Sequence, residues 1–596
     1  MPKKIILSKR LTRKVSHYKK YDIEVPKALL EKKPQKPDLT DFPYPLPQKK
    51  SEYTCFCEGN GGVMWYGSKG GVTRFDENAD MLTDKVMYFG AKRDLPDNNV
   101  KALTEDGDGV WVLTDTGVTH IEMIKISMEE KADMLLKETL TYVDRHGMVS
   151  QKNLSEAGNL KSALPYGHSD NDGSFGVGFA IGEIFRYATL KREKGALAPE
   201  TLKARKVAVR SCEANLLLLY ISGRGNGFPA RTYLTSSEPV PDDGLFYKKN
   251  GKTAVCINTT YAQKRKTVGI EVKADAPIPE RLRKLYTSEG YTDTDITYKG
   301  DTSSDEITHH FLHFLVAHEF LGVDDPELDE LIITAAKNLM NHIIENGFVI
   351  CECDGKPTTW GKWNKEYFES SMGWEDACLN GSQIMMYLKA TMHLTGEENG
   401  YYYETLRKLE NDGYLDLATK HYDRFHQGAL SSGTHDRAGI MFGDHMLAVL
   451  TYFGLVSLEK DEDKKELWKS AFRTWRYSLY PEFNPGYDFL YFISVPEDGE
   501  PDEERIKTWF YRFGISRLAS HVTLEGRLDY PKKLAHGYPM TSALLPNDER
   551  FISKYDRDPL YYKEEDSNGS FCVESCYPFS FAYWIGRYFG FIGEEN

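Results

Sequence analysis

No stretch of this sequence is apolar for long enough to span a bilayer, and its one early apolar run, Ile5–Leu7, is too short for a signal-peptide core. The expected location is the cytoplasm. Positive charge is also in short supply: 75 Lys and Arg against 89 Asp and Glu leave a net charge of −14. That balance argues against nucleic acid and anionic membrane as partners, since both are bound through basic surface. Cysteine is sparse and unpatterned. The near pairs Cys55/Cys57, Cys351/Cys353 and Cys572/Cys576 lack the C-x-x-C spacing of a zinc ribbon, so the nine thiols read as reduced. There is no H-E-x-x-H, and the adjacent His309 and His310 point about 100° apart on a helix. No metal site and no cofactor are expected, with a structural calcium in an acidic loop left open.

Aromatic residues, by contrast, are plentiful at 13%, with 37 Tyr, 29 Phe and 9 Trp. Such rings line sugar-binding clefts, where a flat face stacks on the sugar and a polar tip hydrogen-bonds; layered helices also pack many of them. Residues 1–50 end in a Pro/Lys-rich run that reads as an extended arm. Residues 51–124 hold an internal repeat in which Trp65 aligns with Trp111, Gly71 with Gly117 and Val72-Thr73 with Val118-Thr119. A strand, a glycine turn and a second strand per unit are the pattern of propeller blades, and two units make a small β region, not a closed propeller.

From about Lys125 the period changes to that of helices, expected at 127–143, 173–193, 199–221, 303–321, 327–346, 376–394, 402–410, 437–457, 462–479, 502–519 and 576–589. Successive amphipathic helices of similar length suggest antiparallel pairs closing into a ring. The expected fold is therefore mainly α: an (α/α) toroid over 125–596, with a β-containing excursion at about 228–300 and the partial propeller blades ahead of it.

The stretch Tyr298–Gly322 heads one of these helices. Ser303 and Glu306 form a capping box, and Asp305, His309 and His313 share a stripe distinct from the apolar one. A first-turn acid also serves the helix dipole, and His309 can simply pair with Asp305. Other polar turns head helices at Tyr166–Gly173, at the WGKW run Trp360–Trp363, at Trp374 with Asp376 and Asn380, and at Gly433–Arg437 with Asp444-His445, while Gly227-Phe-Pro-Ala-Arg231 presents one arginine on a rigid loop. These turns are expected to converge on one cleft.

The segments Ser169–Gly173, Gly227–Arg231, Lys299–Glu306 and Tyr583–Tyr588 resemble a bacterial family that carries propeller repeats ahead of a helical toroid and is associated with polysaccharide use. The resemblance implies a saccharide substrate. Two chemistries fit the residues. A lyase acting by β-elimination at a uronic acid needs a base and a cation, for which His168, Tyr166 and Arg231 qualify, with Asn171 or His435 in support. An inverting glycoside hydrolase needs two facing carboxylates, which Asp172, Asp305, Asp376 and Asp436 can supply. The lyase is the leading expectation, the hydrolase its alternative, and a non-catalytic saccharide-binding or sensor module the third. The catalytic candidates are His168, Tyr166, Arg231, Asp305 and His435; the candidates for substrate contact are Asn171, Asp172, Asp301, His309, Trp360, Trp363, Trp374 and Asp436.

Overall fold

The computed structural model describes residues 3–18, 23–91, 93–167, 172–374, 376–397, 400–420, 442–479, 484–518, 526–529, 532–535, 538–541, 546–549 and 571–595. The two sequence repeats each produce a four-stranded antiparallel sheet. In the first, Tyr53–Glu58, Met64–Ser68, Gly71–Phe75 and Val86–Phe89 follow one another as a meander. In the second, Ala102–Asp106, Gly109–Leu113 and Val118–Ile126 form three strands, and Arg10–Tyr18 pairs along the whole of Val118–Ile126 as the fourth. The segment before residue 50 is thus only partly an extended arm. Alternating apolar residues give each sheet one buried face, and the two faces share a core that includes Trp65, Phe89, Val110 and Ile121.

The expectation of a mainly-α toroid is corrected by the observed content, 48% helix and 18% strand, with small sheets distributed along the chain and no closed barrel among the described residues. The 228–300 region forms a five-stranded sheet in the order Tyr233–Leu234, Thr297–Lys299, Phe246–Asn250, Thr253–Cys256 and Glu271–Lys273. Strand pairs of only three residues tie distant parts together. Ile5–Leu7 lies parallel to Ile592–Glu594, and Gln151–Asn153 lies antiparallel to Cys572–Glu574. Segments that short carry no readable period, which is why the strand content is larger than the sequence suggests.

The helices nevertheless provide the main core. Ser304–Phe320 packs against Asp172–Lys194, Pro326–Glu345, Ala377–Thr395 and Phe442–Leu458. It is apolar or buried nearly all round, as a helix surrounded by others must be. Between the helices Met128–Tyr142 and Glu503–Tyr511, buried Lys131 donates to the carbonyls of Phe510, Tyr511 and Phe513 at 2.8–3.0 Å, meeting the orphan acceptors at a helix C-terminus. Among the described residues no helix is long and apolar enough to cross a membrane.

Candidate active site

Three helices that touch one another each bring a carboxylate to their first turn: Asp305 on Ser304–Phe320, Asp376 at the N-cap of Ala377–Thr395, and Asp444 on Phe442–Leu458. A helix start favours negative charge, but here burial works against it. Asp444 is pushed up to about 8 by burial, with Asp305 and Asp376 adding like-charge repulsion. Burial also raises Asp305, against the opposing charge of Arg231 and with further repulsion from Asp376. The hydroxyl of Tyr367 donates to Asp376 at 2.6 Å. Among the described residues no three His, Cys, Asp or Glu side chains are grouped to hold a metal ion. The three acids lie near enough to sense one another's charge.

Beside them lies a second group built on Arg231. Its loop can turn only because residue 227 is glycine: φ is +75°, and a Cβ there would stand 2.0 Å from the carbonyl oxygen of Asn338. The guanidinium donates to Ser303 Oγ at 3.0 Å and to Glu306 Oε1 at 3.4 Å, with Asp301 at 3.9 Å. Ser303 in turn donates to Glu306 Oε2 at 2.9 Å and makes no hydrogen bond to a first-turn amide. The anticipated capping box is thus replaced by a side-chain network. Burial raises Glu306 to about 7 although Arg231 opposes the shift, and the charge of Asp305 adds to it.

The expected site residues divide three ways. Arg231, Asp301 and Asp305 are brought together as anticipated. Asp301, however, accepts from the Leu245 amide at 2.7 Å and lies near Lys299, contacts that fix the end of the five-stranded sheet. Asp172 is corrected from substrate ligand to structural anchor, since it is buried and accepts from Arg145 at 2.8 Å and Thr232 at 2.7 Å. Trp363 is corrected likewise. It is fully buried, with its indole N–H on Gln383 at 3.0 Å, whereas Trp360 and Trp374 are 50% and 39% exposed. His309 donates Nδ1–H to the backbone carbonyl of Asp305, not to its carboxylate, and burial lowers it to about 4, so it is neutral near pH 7. Tyr166 is half-buried and its carbonyl accepts from the Asn153 amide; no hydrogen bond joins it to Arg231 or Asp305 among the described residues. His168, Asn171, His435 and Asp436 lie outside the described residues.

His310 and His313, both fully buried, have no hydrogen-bond partner on either ring nitrogen, and burial lowers both to about 3. They are neutral core residues; His310 stacks on Phe314 and His313 lies tilted beside it. Two functional candidates were not singled out by sequence. Asp444 stood only as part of a polar turn, and Glu306 only as a capping residue; the usable signal was that each is an acid in a first turn beside another acid-bearing helix. No protein-family model and no curated protein matches this sequence.

Proposed function

We propose that the chain is a glycoside hydrolase acting with inversion on a saccharide of little or no negative charge, with Asp444 as general acid and Asp305 or Asp376 as the base that activates water. The observation that carries this reading is the trio of first-turn carboxylates on three touching helices, with Asp444 raised to about 8. A carboxyl that keeps its proton at neutral pH can act as the acid, and a neighbouring carboxylate such as Asp305, whose upward shift Arg231 opposes, as the base, the pairing an inverting hydrolase needs. Trp360 and Trp374 offer exposed rings for the sugar faces.

Elimination at a uronate is disfavoured by the same residues. Among the described residues Asp301, Asp305, Glu306, Asp376 and Asp444 outnumber Arg231, whose guanidinium already engages Ser303, Glu306 and Asp301. A substrate carboxylate would find that guanidinium already committed to the protein's own acceptors. The resemblance noted in the segments around 169–173, 227–231 and 299–306 supports a saccharide substrate. A cytoplasmic location is supported by nine cysteines that are all free thiols.

The test is a panel of neutral and uronate-containing oligosaccharides, followed both for new reducing ends and for the absorbance of a conjugated uronate. New reducing ends without that absorbance, abolished in Asp444→Asn, are expected. Appearance of the conjugated product would replace hydrolysis with elimination.

A further inference from the structure

An acid at a helix start ordinarily caps it by accepting a first-turn amide. Asp376 stands at the N-cap of Ala377–Thr395 and makes no such bond. Its carboxylate accepts instead from the Tyr367 hydroxyl at 2.6 Å, and the turn between the two residues is built for that contact. Ser370 Oγ donates to the Tyr367 carbonyl oxygen at 2.7 Å and accepts from the Gly373 amide at 3.1 Å, while the Asp376 amide donates to the Gly373 carbonyl oxygen at 3.1 Å. A Cβ at residue 373 would stand 2.3 Å from the Tyr367 carbonyl oxygen and 2.7 Å from its ring, so the turn closes this tightly only with glycine there. The Tyr367 ring is held further by Lys362, whose Nζ lies 5.2 Å from the ring centroid.

Asp305 is held differently. Among the described residues its carboxylate is reached by one side-chain donor, the adjacent Ser304 hydroxyl, at 3.5 Å, the outer limit of a hydrogen bond. The charge of Arg231 reaches it, but that guanidinium donates to Ser303 and Glu306. A short hydrogen bond from a phenol favours the ionised form of a carboxyl, and it fixes one oxygen while leaving the orientation of the other defined. Among the described residues the charges that reach Asp376 come from Asp305 and Asp444 on the neighbouring helices, with Lys362 across the Tyr367 ring. Asp376 is half-buried, not sealed in the core.

We propose that Asp376, and not Asp305, is the general base of the inverting reaction, and that Tyr367 is its positioning residue, holding the carboxylate in place through the 2.6 Å hydrogen bond. This assignment rests on the hydrolase reading. In the reaction Asp376 takes a proton from water as the water oxygen bonds to the anomeric carbon. The glycosidic C–O bond breaks on the opposite face, its electron pair stays with the leaving oxygen, and that oxygen receives the proton of Asp444. Asp376 ends protonated and Asp444 ionised, and proton exchange with solvent resets both.

The full chain and its variants, acting on an aryl glycoside of a neutral sugar, test the assignment. Asp376→Asn is expected to lower kcat about a hundredfold or more, the worth of a general base. Azide needs no base to attack the anomeric carbon, so it should restore turnover of Asp376→Asn, yielding a glycosyl azide of inverted configuration, and should not accelerate Asp305→Asn. Tyr367→Phe removes a hydrogen bond that favours the anion, so the acid limb of kcat/KM should move up by about one pH unit, a tenfold change in the protonation equilibrium. A loss of packing alone would lower the rate at every pH and leave the limb in place. Should Tyr367→Phe fail to fold, the azide experiment carries the test. Azide rescue of Asp305→Asn instead of Asp376→Asn, near-parent turnover in Asp376→Asn, or an acid limb that Tyr367→Phe does not move overturns the assignment. Absence of any saccharide cleavage, or full activity in Asp444→Asn, overturns the hydrolase reading and this assignment with it.

Discussion

Replacing Asp444 by asparagine should stabilise the protein, and increasingly so as pH rises. The side chain moves from an ordinary 3.8 to about 8 on folding, because burial and the charges of Asp305 and Asp376 disfavour its ionised form. A carboxyl whose folded pKa is raised binds a proton more tightly in the native state. Its contribution is complete below about 4, falls as pH rises, and is fully lost above about 8. At about 1.4 kcal/mol per unit, the cost of holding Asp444 in place is about 2 kcal/mol at pH 5 and about 5 kcal/mol at pH 8. Asparagine keeps the shape and never ionises, so its advantage should widen by roughly 3 kcal/mol over that range. For a cooperative unit of this length, with an unfolding entropy of about 2.1 cal/mol/K per residue, that is a widening of about 2–3 °C in Tm. Differential scanning calorimetry of both proteins from pH 5 to pH 8 measures it. A constant gap, or one that narrows with pH, would refute the claim that Asp444 is held protonated.

Four further outcomes follow from the contacts. Arg145→Met removes the partner of both Asp172 and Glu238, at 2.8 and 3.0 Å and fully buried, and should cost about 3–5 kcal/mol in urea unfolding. Arg231→Ala should lower stability by about 2–4 kcal/mol, because Glu306 is left buried without its cation; an unchanged Tm would mean that Arg231 faces substrate instead. Trp363→Ala should cost about 3–5 kcal/mol as a core truncation. Trp360→Ala should stay within about 0.5 kcal/mol while weakening saccharide binding, read by paired thermal melts and titrations.

Helices were the legible part of this chain because long amphipathic periods survive any tertiary context. The segments expected at 173–193, 199–221 and 327–346 appear as Asp172–Lys194, Pro199–Tyr220 and Pro326–Glu345. The one expected at 502–519 stops at Tyr511, where Arg512 turns inward to Asp548 and Glu549. Pro485–Ser494 was missed because its ten residues are almost wholly buried and carry no polar face to mark a period. In the site, sequence located the helix starts but not what their side chains do. Ser303 has the spacing of a cap, yet its hydroxyl serves Glu306 because Arg231 arrives from a loop 72 residues earlier. Asp172 and Asp305 look alike as first-turn acids. Only the approach of Arg145 and Thr232 makes the former structural, while the latter stands between the charge of Arg231 and that of Asp376.

The most direct test of the carboxylate trio as catalytic machinery is a proton NMR time course of the protein acting on a neutral oligosaccharide that it cleaves. Inverting hydrolysis predicts that the first new anomeric signal belongs to the sugar of opposite configuration to the bond cleaved, that it mutarotates afterwards, and that no alkene proton appears. An initial product of retained configuration, or an alkene signal from an unsaturated uronate, would contradict the assignment of Asp444 as acid with Asp305 or Asp376 as base.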